Sequence, residues 1–482
     1  MGLSARHDSV CPLLRLVLAL LLLGGCTLID PMLHPEPAAP ATNTWQARLP
    51  HDGSPLALTD WWGQFHDPTL LQLLEISAAS HPTLHRALAA IQEARATLVV
   101  RQAEDQPKAD GALSLQRSGN HSTPPPGPMG VMVLPESTTQ AVALDAQWEL
   151  DLFGRVRAAT TAATARLEER LDNWHEARVT LAAEVASQYV HYRACHQLQN
   201  KDERLVASWQ ETVRMTEKAE QAGLTASLDL HLAQARGVDA QAARTAQQAA
   251  CERIVKALVS LTGLAEPALR EMLQTPSGTI PQPTAFVVES LPADLLAQRP
   301  DLAALERDLA AAGADVGVAE ANRYPRLTIL GNGSLSTLHM THTAVTTQPW
   351  SLGPTLSLPL LDGGARNGQV AEARARYEQA HARYLGAIRT AVEEVETALV
   401  NLDSVRQRTA NAQETAAHYA AMYQSTQAFW RAGGVSQLAL EEGQRTLLMA
   451  ERAAMTLQGE AVQAWITLYK ALGGGWQTGG RG

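Results

Sequence analysis

The sequence predicts a mainly α fold with a small β part, built as a duplicated repeat of long helical hairpins and paired strands. Three observations predict it. A tandem repeat spans the chain, Ala-rich segments run far beyond ordinary helix length, and short segments between them keep a two-residue period. His81-Pro82-Thr83-Leu84 reappears as Arg299-Pro300-Asp301-Leu302, and Gln106-Pro107-Lys108 as Tyr324-Pro325-Arg326, both at an offset of 218. Gly154-Arg155 answers Gly364-Ala365, Glu184-Val185 answers Glu394-Val395, Ala222-Gly223 answers Ala432-Gly433, and Gly263 answers Gly473, all at 210. The slip of eight falls between residues 118 and 140, where the first copy carries Pro124-Pro125-Pro126-Gly127-Pro128. A register kept from Gly154 to Gly263 implies rigid elements whose lengths are fixed by geometry, because loops drift.

Taken in order, residues 1–25 read as a lipoprotein signal peptide. Arg6 and Arg15 supply charge, and Leu13 to Leu23 form an apolar run too short for a transmembrane helix. Leu23-Gly24-Gly25-Cys26 has the spacing of a lipoprotein cleavage box, which makes Cys26 the expected site of lipid attachment. An ordinary cleaved signal with a chance Cys is the plainer alternative. Thr27 after the Cys, in place of Asp, favours the outer membrane of a diderm cell. Residues 26–58 form the lipidated N-terminus and a tether, kept extended by Pro31, Pro35, Pro37 and Pro40.

The first repeat spans residues 59–263, with strands at about 111–118 and 141–152 and a helical hairpin over about 154–262. Gly154 to Gly223 contains no Pro, which allows ~100 Å of helix at ~1.5 Å per residue. Leu167, Leu171, Trp174, Leu181, Val185, Tyr189 and Tyr192 recur at helical spacing. Val142, Leu144, Ala146, Trp148, Leu150 and Leu152 alternate with Ala143, Asp145, Gln147, Glu149 and Asp151, giving one apolar and one acidic or polar face. Residues 264–298 link the repeats. The second repeat, 299–473, has strands at about 327–336 and 351–361 and a hairpin over about 365–472, followed by a tail, 474–482. Many helix seam positions are Ala or polar, which fits a wall around a hollow better than a solid bundle.

A net charge of −10 argues against a nucleic-acid partner. Four Cys in 482 residues are no disulfide scaffold. Cys195 and Cys251 stand about 29 and 27 residues from the hairpin turn, at nearly one height, so export would permit an interhelical disulfide. Two buried free thiols are the alternative. His191, Cys195 and His196 lack further ligands at useful spacing, so no metal site is expected. No nucleophile elbow, phosphate loop or paired catalytic carboxylates occur, and neither an enzyme nor a cofactor is expected.

Four amphipathic strands cannot close a barrel, and an open edge cannot sit in lipid. Two chains would pool eight strands and three would pool twelve. Eight would fill with side chains, whereas twelve leave a lumen for the acidic face of 141–152. Two soluble hairpins capping a coiled coil are the alternative.

The residues now carry a resemblance. Trp61-Trp62 with Phe65, Asp67-Pro68 and Leu70, then Leu291-Pro292-Ala293-Asp294-Leu295-Leu296, Arg299-Pro300-Asp301-Leu302, Tyr324-Pro325-Arg326-Leu327 and Ala471-Leu472-Gly473-Gly474-Gly475-Trp476 resemble the TolC-like outer-membrane factor family, in its NodT-type lipoprotein branch. The resemblance implies a homotrimer with a 12-stranded outer-membrane β-barrel, a periplasmic α-barrel, and a belt from residues 264–300 and the chain ends. It implies a lipid-anchored, passive exit duct for drugs or other toxic small molecules. The expected partners are a periplasmic adaptor (membrane fusion) protein, an inner-membrane pump of RND type, and outer-membrane lipid. A channel for type I protein secretion shares the architecture, and a non-conducting envelope lipoprotein is the reading from a different class. The family's periplasmic gate motif falls on residues 433–444. Leu438 matches the apolar gate position and Glu442 the second acid, with Glu441 beside it. Ala439 stands where some relatives carry the first acid, and Asp229 holds that position in the first copy.

Overall fold

The computed structural model describes residues 58–119, 136–274, 279–283, 299–340 and 343–476. The signal peptide, Cys26 and its tether lie outside the described residues, as do the Pro-rich loop, most of the link between repeats and the end of the tail.

Each repeat opens on short helices. α1 (Pro68–Ser80) and α2 (Pro82–Gln102) both place Pro in the first turn, where its missing N–H costs nothing. Asp67 caps α1 by accepting from the backbone N–H of Thr69 and Leu70 at 3.0 and 3.2 Å. The same buried carboxylate accepts from the Tyr189 hydroxyl at 2.8 Å, and Arg193 donates to that hydroxyl at 3.1 Å. A buried carboxylate is tolerated because its lone pairs are met and a guanidinium stands nearby. The cap therefore anchors the start of the described chain to the long helix behind it.

β1 (Lys108–Ser118) and β2 (Ser137–Leu150) precede α3 (Arg155–Gln221) and α4 (Ser227–Thr262). α5 (Glu266–Leu273) follows, and α6 (Pro300–Ala321) opens the second repeat. Then come β3 (Arg326–Met340), β4 (Thr343–Thr347), β5 (Trp350–Ser357), α7 (Ala365–Arg431) and α8 (Gln437–Ala471). α3 and α7 are each 67 residues long. Both end in the same turn, with Gly223 at φ 71° and Gly433 at φ 77° in the left-handed region that a side chain resists.

The sheet runs β1-β2-β3, with β4 and β5 both on β3, all antiparallel. Here the structure refines the expected strands. β1 begins earlier, at Lys108, and β2 and β3 reach further at the end away from the helices. Asp151 and Leu152 leave the sheet, where Leu152 N–H turns back to the Leu150 carbonyl at 2.8 Å. The fourth strand is split. β4 pairs Thr347 with Ser336 and β5 pairs Trp350 with Gly333, so the register continues unbroken past Gln348-Pro349. Pro349 has no N–H to give the ladder, and Pro359 ends the strand before residues 358–361 for the same reason.

The long helices lie side by side in the order α4, α3, α8, α7. α6 lodges between α3 and α7, and α2 packs on α3. Where these layers meet, Trp61, Leu70, Tyr189, Leu258, Leu302 and Leu399 are among the fully buried side chains. Trp61 also stacks on Tyr469 at 4.6 Å. α6 is tied by charge as well. Its Asp315 meets Arg166 and its Arg307 meets Glu168 at 3.3 Å on α3, while its Asp308 meets Arg383 at 3.4 Å and its Glu320 meets Arg374 at 2.7 Å on α7. Cys195 and Cys251 are joined across the first hairpin, with Cα atoms 5.7 Å apart.

Asp172 sits in the α3–α6 interface. Burial pushes its carboxyl up to about 6, opposed by Arg307 and helped by Glu168 and Glu306. Its folded pKa exceeds the unfolded value of about 3.9, so the folded state holds the proton more tightly. Stability from this group is greatest below the unfolded value and declines as pH rises through 6. Asp172→Asn should therefore raise the thermal midpoint at about pH 7.5, with the gain shrinking toward about pH 4. Circular-dichroism melts at both pH values check this, and an equal shift at each would exclude titration as the cause.

Candidate functional site

The sheet has two unlike faces. Leu113, Leu115, Val142, Leu144, Leu352 and Leu356 share one face through the cross-strand register. Leu113 is 84% exposed, Leu352 73% and Trp350, on the same face, 80%. A continuous apolar surface of this kind is costly in water and suits hydrocarbon. The opposite face is polar. One row places Asp110 opposite Asp145, Asp145 opposite Asn332, and Asn332 opposite Ser351. Asn332 donates its amide to Asp145 at 2.9 Å.

At the foot of the sheet, Arg155 begins α3 and clamps the junction. It donates to both Glu149 oxygens on β2 at 2.9 and 3.0 Å, and to Glu104 at 3.1 Å. A cation at a helix N-terminus opposes the helix dipole, and two carboxylates offset it. Hydrogen bonding to Glu149 raises the Arg155 pKa against the cost of burial. Phe153 stacks on Tyr324 at 4.9 Å beside it.

At the far end, the tips of α3, α4 and α8 enclose a groove of about 390 Å³ lined by Trp209, Asp229, Leu232, Leu438, Glu442 and Arg445. Three of the four gate residues expected from sequence thus share one cavity wall: Leu438, Glu442 and Asp229. Leu438 is 44% exposed. Asp229 accepts from the Thr225 hydroxyl at 2.6 Å. The fourth, Glu441, corrects the expectation. It is buried and accepts from the Ser208 hydroxyl at 2.6 Å, so it lies neither on an open gate face nor on a solvated one. Adjacent residues on a helix differ by about 100°, and the face that meets α3 takes Glu441 while Glu442 turns outward.

Arg445 organises this end. Its guanidinium lies 4.0 Å over the Trp209 ring and donates to Ser208 at 3.1 Å, Thr212 at 2.8 Å and Glu442 at 2.8 Å. Sequence reasoning missed it. Its spacing of three from Glu442 was a readable signal, but Trp209 and Ser208 on the facing helix were not. The same chemistry continues along the α3–α8 seam. Lys201 meets Glu451 at 2.5 Å, Arg452 meets Asp202 at 3.0 Å, and Ser187 donates to Gln463 at 2.7 Å. Burial pushes the Asp202 carboxyl up, opposed by Arg452. Cys195, once weighed with His191 and His196, has its sulfur committed to Cys251.

Residues 73–264 and 291–474 match the family described as outer membrane efflux protein. The chain is 28% identical over 478 residues to outer membrane protein OprJ of Pseudomonas aeruginosa, covering 96% of each chain. It is 28% identical to the toluene efflux pump outer membrane protein TtgC of Pseudomonas putida, covering 97% of this chain and 96% of that one. Among solved structures, the outer-membrane channel OprN superposes with a TM-score of 0.74 at 27% identity, over 92% of this chain and 99% of that one.

Arg445→Ala should loosen the tip locally, because it strips Glu442 of its cation, removes a donor from Ser208 and Thr212, and uncovers Trp209. Hydrogen exchange should accelerate over residues 205–216 and 437–448 and stay unchanged over 250–262. Uniform acceleration would mean that Arg445 supports the whole fold and not this joint.

Proposed function

On the premise that the chain belongs to the outer membrane efflux protein family, whose members are outer-membrane channels and not enzymes, we propose that it forms a homotrimeric, passive exit duct for drugs or other toxic small molecules. The carrying observation is the two-faced sheet with unpaired outer edges. Three copies would close twelve staves into a barrel, with the apolar face toward lipid and the Asp145–Asn332 face toward water. The long helices would continue the wall into the periplasm. No described helix is long and apolar enough to cross a membrane, so the spanning part is assigned to the strands.

The duct needs no chemistry of its own. Energy and substrate choice would come from an inner-membrane pump of RND type, coupled through a periplasmic adaptor. The groove residues would set the resting aperture at the periplasmic end. Leu438 supplies apolar bulk there, and Glu442, held by Arg445, supplies charge. Lipid at Cys26 would tether the assembly to the outer membrane, and an oxidised Cys195–Cys251 bridge would fix the register of the first hairpin. A disulfide closing a loop of this size contributes roughly 2–4 kcal/mol.

Mass mapping of the mature chain tests the two covalent assignments together. An acyl group on Cys26 and a peptide linked through Cys195 and Cys251 are expected, and an unmodified Cys26 or two free thiols would remove the corresponding one. Planar-bilayer recording tests the duct. Leu438→Ala should raise resting conductance severalfold, and Glu442→Gln should weaken cation preference. A wild-type protein that never conducts would leave a structural lipoprotein as the better reading. Unchanged conductance and selectivity in both variants would move the aperture toward Asp229.

A further inference from the structure

We propose that Lys108 and Arg326 are specificity residues of the barrel: they offset the carboxylates of Asp110 and Asp145 and keep the outer half of the duct passable to anionic solutes, those carrying a carboxylate or a phosphate. This rests on the trimeric duct proposed above, and it concerns the wall of that duct and not its gate.

Charge is placed unevenly on the sheet. On the polar face, the described strands carry Lys108 and Asp110 on β1, Asp145 and Glu149 on β2, and Arg326 on β3. All of them lie in the half of the sheet nearest the long helices. Further out, the same face turns to Ser114, Gln116, Thr139 and Ser336. Glu149 is already committed to Arg155, which donates to both its oxygens at 2.9 and 3.0 Å. Two cations and two carboxylates remain, Lys108, Arg326, Asp110 and Asp145, and all four are exposed in the single chain.

Cross-strand charge pairing is the plain account of such residues. It suits Lys108, which lies opposite Gln147, one rung from the row of Asp110 and Asp145. It does not suit Arg326. Lys108 and Arg326 hold the same place in the two repeats, each following Pro at the start of a strand. In the second repeat, however, Thr328 and Thr355 stand where the first has Asp110 and Asp145. Arg326 lies opposite Ser357 and donates to the neutral Asn322 side chain at 2.6 Å. The second repeat thus has the cation without the acids that it would pair with. What the two repeats share is a positive charge at the foot of the polar face, and together these charges balance the two acids that only the first repeat carries.

Three copies would set these charges in a belt around the lumen. Fixed charge in a water-filled passage with low-dielectric walls focuses its field, so an acidic belt alone would repel anions. Neighbouring rungs on one face are two residues apart, about 7 Å. That is within the screening length of about 8 Å at physiological ionic strength, so cations and carboxylates act on a passing solute together. The belt is close to neutral as a result. Selection by charge is left to Glu442 at the periplasmic end, and the barrel does not repeat it.

Planar-bilayer recording of the full-length protein in a potassium chloride gradient tests this, on the otherwise wild-type chain and on Leu438→Ala so that the tip aperture does not mask the barrel. Lys108→Gln with Arg326→Gln should raise the potassium-to-chloride permeability ratio severalfold. Asp110→Asn with Asp145→Asn should lower it. Both shifts should grow as the salt is diluted, because screening weakens. Opposite shifts carry the proposal. A conducting protein whose selectivity neither pair moves in either background, or both pairs move the same way, overturns it and leaves the duct standing. A protein that never conducts removes the duct and this inference with it. If one double variant forms no channels, the other decides alone by the sign of its shift.

Discussion

A strand edge presents unpaired N–H and C=O groups, and hydrocarbon offers them no partner. The sheet of this protein has β1 at one edge and β4 with β5 at the other, and between them an exposed apolar face from Leu113 to Leu356. Those two facts are incompatible in a single chain. Water suits the edges but not the face, and lipid suits the face but not the edges. Pairing with copies of itself resolves the conflict, and much of the architecture follows from that need. The helices must leave the sheet in an arc, which explains why α4, α3, α8 and α7 form one layer and not a closed bundle. Ala at many seam positions permits the close approach such a wall requires, and the largest cluster of buried side chains lies where the short helices add a second layer.

The seams of that wall differ in chemistry. Within the first hairpin, α3 and α4 are joined through Cys195 and Cys251, backed by buried Val255 and Leu258. Between the hairpins, α3 and α8 meet through Lys201–Glu451, Asp202–Arg452 and the Arg445 cluster. The groove with Leu438, Glu442 and Asp229 lies at the tip end of the α3–α8 seam.

The two repeats meet the same requirement by different means. At the start of α6, Arg299 donates to the carbonyl of Ala471 at 3.0 Å and pairs with Glu394 at 2.7 Å. At the matching place in the first repeat, Ser80 donates to the carbonyl of Thr262 at 2.8 Å. Both tie a short helix to the last turn of a return helix, whose carbonyls lack partners within the helix. The arginine version also neutralises carboxylates, which suits a boundary buried between repeats.

Periodicity and repetition fixed much of this protein before any coordinates. The helix ends at Gly223 and Gly433, the alternating faces of Val142 to Leu150 and the equal lengths of the two hairpins depend on local rules, and local rules are written in sequence. The stretch proposed as the gate could be placed on Leu438 and Glu442 because a motif occupies consecutive residues, and both line the groove at the helix tips. Other features were not local. Proline broke one stave in two, yet only the partner strand shows that its register survives. Glu441 and Glu442 are neighbours in sequence with the same chemistry, and only the packing of α8 on α3 buries one and exposes the other. Arg445 gained its role from Trp209, Ser208 and Thr212 on the facing helix, more than two hundred residues away in the chain. Which side chains a helix turns toward a neighbour depends on where that neighbour lies, and contacts across such separations exist only after the chain has folded.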